Sequence, residues 1–161
     1  DEERRIVSET TSERDSHIDR VLDGPNILEL QSIVRRVPVA PAVIDHALDL
    51  ARKTRVRQEP GAEPPPDLVK RWVAWGAGPR ASQYLVLGAK ARAVLHGRFH
   101  VSMEDIRAVA KPVLRHRILT NFAAEADGIT PDGVIDKLLE DTPPAEGALS
   151  RDPAVASAFK G

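Results

Sequence analysis

The sequence contains no cysteine, which excludes a disulfide framework, a thiolate metal site and a cysteine nucleophile. That absence fits a cytoplasmic protein. No apolar run approaches the ~20 residues needed to cross a bilayer, and no signal peptide opens the chain. An excess of one charge is also missing. With 23 basic against 24 acidic residues, a global role such as coating nucleic acid is disfavoured. There is no Gly-x-x-x-x-Gly-Lys-Ser/Thr loop, and no apolar strand ending in paired acidic residues. By itself the chain therefore lacks the phosphate cradle and the magnesium ligands of a nucleotide hydrolase. No carboxylate pattern joins the five histidines into a metal site. His96 and His100 are separated by a helix-ending Gly97, so no metal ligands are assigned.

What remains is helical periodicity almost throughout, without a convincing period-two strand. At 161 residues the chain suits one domain of ordinary size, or a small domain with tails. It opens at Asp1 inside a charged, helix-like stretch running to about Glu9, as expected of a piece of a longer protein. Residues 10–19 read as loop. Asn26 is expected to cap a short helix through Ile27, Leu30, Ile33 and Val34. Pro41 starts the next helix, whose Val43, Ile44, Ala47, Leu48 and Ala51 form a core-facing stripe. Four prolines exclude regular structure over Glu59 to Pro66, and Asp67 then caps a helix through Trp72. A central, slender helix runs from Pro79 to about His96, with Ala81, Leu85, Gly88 and Leu95 inward and Gly97 as a left-handed stop. Ser102 to Asp105 resembles a capping box. The helix it opens buries Ile106, Val109, Ala110 and Val113, with a kink or end near Lys111 imposed by Pro112. Thr130-Pro131-Asp132 opens a last helix through Val134, Ile135, Leu138 and Leu139. From Thr142 onward the chain reads as a flexible tail. The expected fold is all-α, a small bundle of about five to six helices with flexible ends.

The most informative stretch is Gly76-Ala77-Gly78-Pro79-Arg80-Ala81-Ser82. Pro79 suits the first helical position and Gly78 the N-cap. Unpaired N–H groups and the positive dipole end attract anions there, and Arg80 adds a fork of donors matched to phosphate oxygens. Read alone, such an arginine is more often simply solvated. Arg52, Lys53, Arg55 and Arg57 form a basic cluster at a helix C-terminus, a place the dipole favours for cations. Trp72 and Trp75 either cover core or mark a partner surface.

The blocks Trp75-Gly76-Ala77-Gly78-Pro79-Arg80-Ala81, Ala89-Lys90-Ala91-Arg92-Ala93, Glu104-Asp105-Ile106 and Val113-Leu114-Arg115-His116-Arg117-Ile118 resemble the C-terminal helical lid of MoxR-family AAA+ ATPases. Leu50-Ala51-Arg52-Lys53-Thr54-Arg55 is similar to the family's first lid helix. The resemblance covers about residues 1–140. It implies the end of an AAA+ core and its connecting segment over 1–36, the lid over 37–141, and a tail over 142–161. It also implies that Arg80 is the sensor-2 arginine, which reaches the γ-phosphate of ATP held with magnesium by the parent's core. This fragment alone would bind no cofactor. Gly76 and Gly78 either bring backbone near the adenine or ribose or serve chain reversal. The implied partners are the chain's own core, a homohexameric ring and a von Willebrand factor A domain protein, in a chaperone-like remodeller. Glycine replaces the family's serine at Gly78, a change worth only about a few tenths of a kcal/mol at an N-cap. The alternative is a stand-alone helical binding module that meets nucleic acid through Arg52, Lys53, Arg55 and Arg57.

Overall fold

A computed structural model describes residues 1–13, 19–57, 61 and 63–143. The tail expected over 142–161 lies outside the described residues from 144 onward, as do parts of the two expected loops, 14–18, 58–60 and 62. The chain divides into two compact units, Asp1–Gln31 and Ser32–Gly161.

In the first unit, α1 (Glu2–Thr11) buries no residue. Along it Arg5 and Glu9, one turn apart, approach to 3.9 Å on the exposed surface. The second helix, α2 (Gly24–Arg36), crosses the unit boundary. Its cap differs from expectation. The helix starts before Asn26, and Asp23 Oδ1 accepts the Asn26 N–H at 2.8 Å while Asn26 Oδ1 accepts the Asp23 N–H at 3.2 Å. Gly24 and Pro25 fit the first turn because Pro25 has no N–H to lose there.

The second unit holds α3 (Pro41–Lys53), α4 (Asp67–Trp72), β1 (Val73–Trp75), α5 (Pro79–Leu95), α6 (Met103–Leu114), β2 (Leu119–Thr120), α7 (Phe122–Ala126) and α8 (Pro131–Glu140). Pro41 and Pro79 stand in the first turns of α3 and α5. Asp67 is the first residue of α4 rather than its cap; it pairs with Lys70 at 2.9 Å. Thr130 Oγ1 caps α8 through the Gly133 N–H at 3.2 Å. The all-α reading holds, with one addition. β1 pairs antiparallel with β2, Val73 opposite Thr120 and Trp75 opposite Leu119. Strands this short carry no visible periodicity, and their pairing is decided by the tertiary fold.

α5 is central and packs on both α3 and α6. Its fully buried Ala81, Leu85, Ala89 and Ala93 meet Val43, Ala47 and Leu50 of α3 and Ile106, Ala110 and Leu114 of α6 in one core. Small side chains let these helices approach closely. The buried stripe steps by four residues and so turns around the helix, which leaves Leu95, expected inside, 85% exposed. Pro112 neither ends nor breaks α6 at Lys111: the helix continues to Leu114, whose side chain is fully buried. The donor that Pro112 lacks is lost in the exposed last turn, and burial of Ala110 and Leu114 carries the helix through.

Candidate functional site

The start of α5 is built on the end of α3. Thr54, the residue after α3, is fully buried. Its hydroxyl donates to the Ala51 carbonyl at 2.7 Å and accepts the Ala77 N–H at 2.8 Å. Arg55 Nε donates to the Ala77 carbonyl at 3.0 Å. Between them Gly76 passes so close that a Cβ there would lie 2.1 Å from the Thr54 carbonyl oxygen. Only glycine fits this position. Gly78 is different: at φ −76° and ψ 179°, with nothing within 4 Å of a Cβ, it caps α5 without being sterically required. That tolerance matches the serine expected there.

Arg80 follows in the first turn of α5, exposed, and makes no hydrogen bond or ion pair with the described residues. A guanidinium at the positive end of a helix dipole is opposed by that dipole and would be favoured by an anion brought to it. Beside it in the chain lies an open cleft of about 560 Å³ lined by Arg55, Arg57, Trp75, Gly76, Gly78 and Pro79 among others. Trp75 is 71% exposed at its rim. The structure thus gathers Arg80, Gly76 and Gly78 on one short segment and adds Arg55 and Trp75 to it.

The remaining arginines are differently employed. Arg92 Nη1 reaches Asp105 at 2.6 Å and Arg98 Nη2 at 2.5 Å, on a carboxylate with no exposed surface. Burial by itself would raise the Asp105 pKa. Bonds from Arg98, the Ser102 N–H and Arg92 outweigh it and hold the carboxyl well below its usual range. The same carboxylate closes the expected capping box with Ser102. This network escaped sequence reading, although an acidic residue at the third position of a box with arginines 13 and 7 residues before it is its signal. The basic cluster is split: Lys53 donates to Thr142 Oγ1 at 3.1 Å and Arg55 to Ala77, while Arg52 and Arg57 stay exposed. Arg115 pairs with Asp132 at 2.9 Å. Arg117 donates to the Val113 carbonyl at 2.7 Å, touches His116 Nε2, and stacks over Tyr84 at 5.1 Å. Trp72 donates to Asp127 at 2.8 Å, so the two tryptophans part ways, one pinned and one exposed. His46 is buried with Nε2 unpartnered. Burial, then the nearby Arg107, lowers its pKa. Among the described residues no group of three or more side chains has metal-ligand geometry, and no helix is long and apolar enough to cross a membrane.

Residues 67–138 match the AAA lid domain family. The chain is 35% identical over 121 residues to the protein named chaperone MoxR1 of Mycobacterium tuberculosis, covering 75% of this chain and 31% of that protein. It is 36% identical over 86 residues to protein MoxR of Paracoccus denitrificans, covering 53% of this chain and 25% of that one. A solved structure of a candidate ATPase from Cytophaga hutchinsonii superposes with a TM-score of 0.73 at 26% identity, covering 90% of this chain and 43% of that one. The chain spans about a third of the length of the curated relatives it matches. Residues 67–138 are an AAA lid domain, in a chain homologous over most of its length to the MoxR family.

Proposed function

We propose that the chain serves as the lid of a MoxR-like AAA+ ATPase and that Arg80 is its sensor-2 arginine. The observation carrying this reading is a guanidinium without a partner among the described residues, exposed in the first turn of the central lid helix. ATP and magnesium would be held by an AAA+ core outside this chain. The γ-phosphate would draw Arg80 in with the lid closed. Hydrolysis removes that partner and releases the lid, turning chemistry into a rigid-body rotation. Gly76 and Gly78 would set the backbone beside the ribose or adenine. In this reading residues 1–36 complete the core and connect it, 37–141 form the lid and 142–161 a tail. The assembled protein would be a cytoplasmic, homohexameric, chaperone-like remodeller working with a von Willebrand factor A domain partner.

The test is Arg80→Ala in a protein joining this chain to its AAA+ core. ATP turnover should fall roughly a hundredfold, the scale seen when one preorganised charge contact is removed. Circular dichroism should show an intact lid. Wild-type turnover in that variant rejects the assignment.

A further inference from the structure

Arg80 has no tether among the described residues, so its position depends on where α5 begins. We propose that Thr54 is a positioning residue for Arg80: its buried hydroxyl fixes the start of α5 and thereby the reach of the guanidinium. The inference rests on the reading of Arg80 as the group that meets the γ-phosphate.

The geometry supports it at three points. Ala77 stands one residue before the N-cap of α5, and both of its backbone groups are held from consecutive residues of the α3 end. Thr54 Oγ1 takes the N–H at 2.8 Å, and Arg55 Nε gives to the carbonyl at 3.0 Å. The Thr54 hydroxyl both accepts from Ala77 and gives its own proton to Ala51 at 2.7 Å, and this fixes one rotamer. At Gly76 the two backbones touch, with room for no side chain. The helix start therefore cannot slide against α3 without breaking buried bonds, whose loss leaves an orphaned N–H. Thr54 and Arg55 do not contact the nucleotide in this reading; they act through Arg80.

The test is a double-mutant cycle of ATP turnover in the protein joining this chain to its core. Thr54→Val keeps the shape and removes the hydroxyl; Thr54→Ser keeps the hydroxyl. A displacement near 1 Å can cost up to about a hundredfold, so kcat in Thr54→Val should fall roughly tenfold or more, with KM for ATP little changed. Thr54→Ser should stay within about threefold of wild type. In the Arg80→Ala background, Thr54→Val should produce no further loss, because the residue it positions is gone. Additive losses, or wild-type turnover in Thr54→Val, overturn the proposal while leaving the Arg80 reading intact. Wild-type turnover in Arg80→Ala removes the reading beneath it. Should Thr54→Val not fold, the same cycle with Arg55→Ala applies. A loss that persists without Arg80 then overturns the clamp.

Discussion

The two ends of α5 treat arginine in opposite ways. At the C-terminal end Arg92 and, just beyond the helix, Arg98 converge on Asp105, a carboxylate shut away from water. At the N-terminal end Arg80 meets no described acid at all. The first arrangement consumes charge to fix the joint between α5 and α6. A buried ion pair earns little net stability yet is costly to break, so its role is to hold one geometry. The second leaves an exposed charge where the helix dipole opposes it, with no partner among the described residues. What holds the N-terminal end is not Arg80 but Thr54 and Arg55 on Ala77, with the close passage of Gly76. Position and charge are thus supplied by different residues at one end and by the same residues at the other.

The sharpest way to break this contrast is Gly76→Ala. The added methyl would overlap the Thr54 carbonyl, and the expected destabilisation is on the order of 3–5 kcal/mol, read as a fall in Tm or failure to fold. Asp105→Asn attacks the other end. It leaves two arginines facing a neutral amide, at about 3 kcal/mol by denaturant titration. Its pH signature is distinctive. The folded pKa of Asp105 lies below the unfolded one, so its stabilisation is complete above about pH 4 and lost as pH falls toward the folded value. The variant should lack this part of the acid destabilisation. His46→Leu removes an orphaned ring nitrogen of α3. Because the histidine's folded pKa is lowered, wild type should lose stability as pH falls below about 6.5, and the variant should flatten that pH dependence in denaturant titrations. Arg80→Ala should have the smallest effect on the chain's own stability, within about 0.5 kcal/mol as for an exposed unpaired side chain. A fall of Tm comparable to that of Asp105→Asn would erase the contrast between the two ends.

Much of this was legible before the structure. Pro41, Pro79 and Pro131 mark helix starts because a residue without an N–H is harmless only there, and each stands in a first turn. Gly97 marks a stop and takes φ +66°. The Ser102–Asp105 box formed as read. The place of Arg80 just after a cap was legible because caps are local, and α5 does start at Pro79. Leu95 was not legible in the same way: local rules describe an isolated helix, whereas the turning stripe of α5, like the burial of Leu114 beyond Pro112, is settled by neighbours.

The sequence by itself determined the helical class, the starts of α3, α5, α6 and α8 and the place of Arg80 in a first turn, since caps, prolines and periodicity act over a few residues. Only the tertiary structure decided which charges are spent and which are free. It brought Asp105 to Arg92 and Arg98, set Thr54 and Arg55 on Ala77 across more than twenty residues of chain, and made Gly76 irreplaceable through a contact with α3. Those outcomes depend on distances between elements, and spacing along a chain does not encode them until the core has packed.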